Sequence, residues 1–182
     1  MGRVKAGRVR RGAHAAARRG PRPAMGAVIT VSDTRRGRDD TSGDTIVRRL
    51  AAAGHVVATR AWVRDEPVAI RRALRAALAR ADVDVVVLTG GTGLAPRDRT
   101  PEALAPLVER WLPGFGETFR VLSLDDVGAA AWMSRAGAAV VRGRLVFMLP
   151  GSASAVDLAM RRLIVPELVH ALLALGRFTT RE

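Results

Sequence analysis

The segment Val83-Asp84-Val85-Val86-Val87-Leu88 runs directly into Thr89-Gly90-Gly91-Thr92-Gly93. A short run this rich in β-branched and aliphatic residues has almost no polar face, so as a strand it must be covered on both sides. Strands of that kind belong to parallel sheets whose crossovers lay helices above and below. The glycines then end the strand in a sharp loop. This feature predicts an α/β domain with a mostly parallel sheet between helices, and with its chemistry on loops at the strands' C-terminal ends.

The rest of the chain alternates to match. Ala27–Val31 and His55–Val63 are the next strand candidates, each followed by charged or turn-forming residues. Thr41-Ser42-Gly43-Asp44 resembles a capping box before a helix carrying Ile46, Val47, Leu50 and Ala51, with Gly54 as its stop. Pro67 opens a helix with a stripe of Ile70, Ala73, Leu74, Ala77 and Leu78. Thr100-Pro101-Glu102 predicts a helix start with threonine as the N-cap and proline at the first helical position. Trp111–Gly128 has little periodicity and is expected to hold short helices and turns. Ala138–Val141 and Leu145–Leu149, joined by Arg142-Gly143-Arg144, predict a late antiparallel strand pair. Pro150-Gly151-Ser152 then leads into an apolar helical run, with a last helix from Pro166 to about Leu175.

Composition narrows the chemistry. The 182 residues include no cysteine, which excludes disulfides, thiolate metal sites, iron–sulfur clusters and a cysteine nucleophile. His14, His55 and His170 are far apart and fit neither a zinc motif nor a histidine-dependent triad. No apolar run is long enough to span a membrane, and no signal peptide is recognisable, so the expected location is cytoplasmic. The net charge of +13 is uneven. Residues 1–25 carry eight basic residues and no acid, whereas the remainder sets 22 arginines against 17 acids. Residues 1–24 are therefore expected to be a basic, disordered extension, and residues 25–182 the functional domain. A basic arm for an anionic polymer, or a true start at Met25, are the other readings. The modest excess on the body suits a small anionic ligand, and a nucleic-acid partner is not expected.

Three loops carry the chemistry. Thr89-Gly90-Gly91-Thr92-Gly93 places backbone N–H groups and two hydroxyls where an anion could approach closely. It lacks the ending of a Walker A motif, and Pro96 and Arg97 break a dinucleotide fingerprint. Asp98 on the same loop could help hold Mg²⁺ beside a phosphate, or could pair with Arg97 or Arg99. Asp65 reads by pattern alone as a helix cap before Glu66-Pro67. Pro150-Gly151-Ser152-Ala153-Ser154 is a second strand–turn–helix anion site, in which Ser152 could cap the helix, contact a phosphate, or do both. Ser32 and Asp33 would face the same crevice.

Seven stretches in register carry a family resemblance. They are Val31-Ser32-Asp33, Asp40-Thr41-Ser42-Gly43, Thr89–Gly93, Arg97–Ala103, Gly114-Phe115-Gly116-Glu117, Ser134-Arg135 and Pro150-Gly151-Ser152. Together they resemble the MoaB/Mog family of molybdenum cofactor biosynthesis over residues 25–178. The resemblance implies a three-layer α/β/α sandwich, the molybdenum cofactor biosynthesis protein-like fold. It implies a homotrimer, sometimes assembled further into a hexamer, and Trp111 and Phe115 lie in a stretch suited to such contacts.

The resemblance also implies an activity: molybdopterin adenylyltransfer, in which AMP passes from ATP to the terminal phosphate of molybdopterin and pyrophosphate leaves. Asp65 and Asp98 match the family's two catalytic, Mg²⁺-handling carboxylates, which displaces the cap reading of Asp65. Ser32, Asp33, Gly43, Thr89, Gly90, Gly91, Thr92, Gly93, Arg97, Glu117, Ser134, Pro150, Gly151 and Ser152 match positions that bind molybdopterin and ATP. The alternative from another class is a catalytically silent paralogue that binds molybdopterin or a partner protein as a scaffold.

Overall fold

The computed structural model describes residues 21–35 and 37–179. The apolar run becomes strand β3 (Val85–Thr89), at the centre of a six-stranded sheet with β1 (Met25–Val31), β2 (Val56–Val63), β4 (Arg110–Trp111), β5 (Gly137–Val141) and β6 (Arg144–Leu149). The strand order is β2-β1-β3-β6-β5-β4. β2, β1, β3 and β6 are mutually parallel, and β5 runs antiparallel to β6 and β4. The mostly parallel sheet with a late antiparallel pair is thus present as expected.

Alternation along β3 sorts two cores. Val85 and Val87 join the layer formed by α1 (Thr41–Ala52), α4 (Pro113–Val127), α5 (Ala153–Ala159) and α6 (Val165–Ala174). Val86 and Leu88 face α2 (Pro67–Ala79) and α3 (Thr100–Leu104), where Ile70, Leu74, Ala77 and Leu78 pack as one stripe. Helices therefore cover both faces in three layers. Among the described residues no helix is long and apolar enough to cross a membrane.

Several local expectations are corrected. Residues 113–127 form one continuous helix, because Phe115, Phe119 and Leu122 supply an inner face while Val121, Leu124 and Val127 on the outer face blur the period. Phe115 packs on Phe147, with ring centroids 5.0 Å apart, so it belongs to the core, whereas Trp111 remains exposed. The cap of α1 is Asp40, whose carboxylate accepts from Gly43 N–H at 2.9 Å, and not Thr41. Between α5 and α6, residues Met160–Ile164 form a π-helical turn directly before Pro166. Proline has no N–H for the ordinary ladder, and a widened turn accommodates its loss.

The domain boundary also moves. Ala24 is fully buried and its N–H donates to His55 Nδ1 at 3.2 Å. Arg22 grips the buried Asp84 with two hydrogen bonds of 2.7 and 2.8 Å and stacks over Phe178. Asp84 also accepts from Met25 N–H and from Arg177. The folded body therefore begins before Met25, and residues 1–20 of the expected extension lie outside the described residues. Burial raises the Asp84 pKa, but the hydrogen bonds from Arg22, Met25 and Arg177 outweigh it and hold the carboxyl below its ordinary value. Arg22→Ala should be less stable than the unaltered chain by about 1–2 kcal/mol, since it loses one charged, half-exposed partner of a buried carboxylate. Urea unfolding of the two chains at neutral pH measures the difference.

Candidate functional site

The strand order reverses direction at β1 and β3, the place where parallel sheets open a crevice. Thr30 pairs with Thr89, and Thr89 with Leu149, so β1, β3 and β6 end level with one another. The three loops that follow are stitched together at that level. Gly90 N–H donates to Leu149 O at 3.0 Å, and Thr89 Oγ1 donates to Pro150 O at 2.8 Å. Ser32 Oγ accepts from the N–H groups of Thr34 and Arg35, and Arg35 Nη1 donates to Gly151 O at 2.6 Å. They enclose a crevice of about 570 Å³.

The glycines of the β3 loop are required by contact as well as by torsion. Gly90 has φ of 103°, and a Cβ there would lie 2.1 Å from Val31 O. Gly91 has φ of 65°, and a Cβ would lie 2.4 Å from Thr100 Oγ1 and 2.9 Å from Asp65 Oδ1. At Gly93 a Cβ would meet Asp98 Oδ2 at 2.6 Å. Side chains are excluded because other groups press in on the loop. Thr100 is one of them: it is the first residue of α3 and not its cap, and its buried hydroxyl donates to Gly90 O at 2.9 Å.

Asp33, Asp65 and Asp98 all line the crevice. Asp33 is paired with Arg97 at 2.6 Å. Asp65 Oδ1 accepts from Arg99 N–H at 3.3 Å, and Asp98 Oδ2 accepts from Ala95 N–H at 3.0 Å. Burial pushes the Asp65 pKa up, and the neighbouring charges of Asp98 and Asp33 push it further, against the opposing pull of Arg99 N–H and Arg97. A cation would relieve that repulsion. Among the described residues no three His, Cys, Asp or Glu side chains are arranged as a metal site. Mg²⁺ commonly takes one or two carboxylates and completes its shell with phosphate and water oxygens, so the pair Asp65 and Asp98 fits it as a shared protein–ligand site.

Of the residues singled out from sequence, Ser32, Asp33, Asp65, Gly90, Gly91, Thr92, Gly93, Asp98, Ser134, Pro150, Gly151 and Ser152 line the crevice. Four do not. Thr89 lies beneath it, buried, tying two loops together. Arg97 acts through its pair with Asp33. Glu117 lines a separate cavity of about 230 Å³ with Trp111, Pro113 and Arg120. Gly43 belongs to the α1 cap: a Cβ there would fall 2.2 Å from Asp40 Oδ2 and 2.8 Å from Arg60 Nη2. Ser152 makes no side-chain capping bond, which leaves its hydroxyl to the crevice.

Sequence reasoning missed the apolar half of the crevice, formed by Phe119, Val127, Ala130, Ala131, Met133 and Leu158, with Ser123 and Asp126 among them. The weak periodicity of 111–128 concealed it. Arg35 and Ser154 also line the crevice; by sequence Ser154 falls in the second anion-site motif, and neither is singled out as a binding residue.

Residues 27–170 match a family described as "Probable molybdopterin binding domain". The chain is 51% identical over 144 residues to molybdenum cofactor biosynthesis protein B of Bacillus subtilis, covering 79% of this chain and 85% of that protein. A crystal structure of a molybdenum cofactor biosynthesis protein B superposes with a TM-score of 0.83 at 41% identity, over 87% of this chain and 99% of that one. The tungsten cofactor synthesizing protein MoaB from Pyrococcus furiosus superposes with a TM-score of 0.78 at 38% identity, over 85% and 98% of the two chains.

The crowding of like charges at Asp65 has a measurable consequence. A carboxyl whose pKa rises on folding destabilises the fold above that pKa and ceases to do so below its ordinary value near ~3.9. Asp65→Asn keeps an acceptor for Arg99 N–H and removes the charge. It should raise the Tm at pH 7 without metal by roughly 1–3 °C for a domain of this size, and the gain should vanish below about pH 4. Thermal unfolding of the two proteins across pH checks both the sign and the window.

Proposed function

This chain belongs to the MoaB/Mog family of molybdenum cofactor biosynthesis proteins, and from that premise we propose that it adenylylates molybdopterin. The observation that carries the reading is the cradle of Gly90–Gly93 with the Asp65 and Asp98 carboxylates packed against it. A terminal phosphate oxygen of molybdopterin attacks the α-phosphorus of ATP. One P–O bond forms, the bond between the α-phosphorus and its bridging oxygen breaks, and pyrophosphate leaves with that bond's electron pair.

Such a reaction requires positioning and charge neutralisation more than a protein nucleophile, which accords with a chain lacking cysteine and a crevice lacking histidine. Asp65 and Asp98 would hold Mg²⁺, which supplies charge neutralisation on the phosphates when bound. Backbone N–H groups of Gly91, Thr92 and Gly93, with the hydroxyls of Ser32, Thr92, Ser152 and Ser154, orient phosphate oxygens. The apolar half along Phe119 and Leu158 takes the flat pterin and excludes water from it. Val121 and Trp132 are large apolar side chains left exposed, which supports the homotrimer reading. Sedimentation at micromolar concentration should give a mass three times that of the chain, and a stable monomer would contradict the assembly.

Turnover of molybdopterin and ATP with Mg²⁺, read as adenylyl-molybdopterin, tests the activity. Asp98→Asn should fold normally and bind molybdopterin, yet lose on the order of 10²-fold in turnover. Asp65→Asn should lose a similar factor. Near wild-type turnover in both variants at saturating Mg²⁺ would refute the assignment.

A further inference from the structure

Arg135, from the Ser134-Arg135 stretch, lies behind the crevice and donates four hydrogen bonds there. Its backbone N–H donates to Thr92 O at 2.9 Å. Its guanidinium then spends one N–H on each of three acceptors. Nε donates to Gly93 O at 2.9 Å, Nη2 to Asp98 O, and Nη1 to the Glu102 carboxylate. One planar group therefore fastens both arms of the loop between Gly93 and Asp98, and ties that loop to the first turn of α3. The loop closes on itself in front: Asp98 N–H donates to Ala95 O at 2.8 Å, and Asp98 Oδ2 accepts from Ala95 N–H. Asp98 is thus held at its backbone by Arg135 and at one carboxylate oxygen by its own turn. Oδ1 has no hydrogen-bond partner among the described residues.

The charge of the guanidinium is already matched by Glu102, with which it forms an ion pair. Its contribution to an anion in the crevice is accordingly small, and its contribution to geometry is large. We propose that Arg135 is a positioning residue, which fixes the Asp98 loop so that the carboxylate meets a phosphate-bound divalent cation in one orientation. The inference rests on the role given to Asp98 above. The fork geometry of arginine is essential to it: a lysine keeps the charge but presents one nitrogen, which cannot serve three acceptors spread over two loop arms and a helix.

The test is titration of Mn²⁺ in the presence of pyrophosphate, followed by electron paramagnetic resonance, on the full chain and on Arg135→Lys, Arg135→Gln and Glu102→Gln. Partners that orient a metal ligand typically contribute 10–100-fold to metal affinity, so both Arg135 variants should bind Mn²⁺ roughly tenfold or more weakly. Glu102→Gln retains an acceptor oxygen and both loop bonds, and should stay within about twofold of wild type, a small change of the kind exposed pairs give. Turnover should fall in kcat, with little change in KM for ATP.

Wild-type affinity in Arg135→Lys would overturn the inference, as would a loss that merely tracks the unfolded fraction in a thermal melt. A loss in Glu102→Gln as large as that in Arg135→Gln would also overturn it, because charge and not the fork would then be at work. Should Arg135→Gln fail to fold, Arg135→Lys and Glu102→Gln decide the matter. A wild type that binds Mn²⁺ with pyrophosphate but forms no adenylyl-molybdopterin refutes adenylyl transfer while leaving the Arg135 comparison readable. A wild type that binds no Mn²⁺ overturns the inference together with the metal assignment.

Discussion

Burial of β3 on both faces is the constraint from which the remaining architecture follows. Its residues Val85 to Leu88 are fully buried, and they reach that state only with α1 and the C-terminal helices on one side and α2 and α3 on the other. Covering a strand this way requires crossover connections, so β1, β3 and β6 run in the same direction and finish at the same height. Three loops of unrelated sequence are thereby delivered to one crevice. The site is thus a consequence of how a hydrophobic strand is hidden from water, with the loops supplying the specificity.

Within that crevice the loop bodies sit close to the limit of packing. Gly90 and Gly91 occupy left-handed torsions with no room for a Cβ, and Thr100, anchored on Gly90 O, presses against the loop from behind. A rigid loop is what an anion cradle needs, since N–H groups that are already oriented do not have to be ordered when the ligand arrives. The same rigidity keeps Asp65 near Asp98 and Asp33 despite their mutual repulsion. Local instability at a site of this kind is the usual companion of function, and the surrounding sheet offsets it.

Much of this was legible in sequence because the relevant signals are local. The apolar run, the stripe of α2 and the glycine loop each carry their own periodicity or torsional requirement, and each appears where expected. Three things were not legible, and the first two depend on a distant partner. Helix α4 has apolar residues on both faces, so its inner face is defined only once Phe147 is opposite it. By sequence Arg22 is one more charge in a basic extension, and its role appears only with Asp84, far along the chain and fully buried. Gly43 lay within a motif of the family and so looked like a binding residue, whereas the space it vacates is filled by the carboxylate of its own helix cap.

Asp40 and Asp65 show how differently one fold can satisfy two carboxylates. Both lie near the C-terminal edge of the sheet, and burial pushes the pKa of each upward. Asp40 collects donors from Thr30, Ser42, Gly43, Arg60 and Trp62, and these together bring its pKa below the ordinary value. Its negative charge is fully satisfied by the protein, so it has nothing left to offer a ligand. Asp65 has a single weak backbone donor and two like charges for neighbours, and its pKa stays raised. A carboxylate with few donors and like charges beside it in a crevice is a candidate for ligand chemistry. Identity of residue type told the two apart in neither case. The count of donors around each carboxylate did: five groups donate to Asp40, and one backbone N–H reaches Asp65.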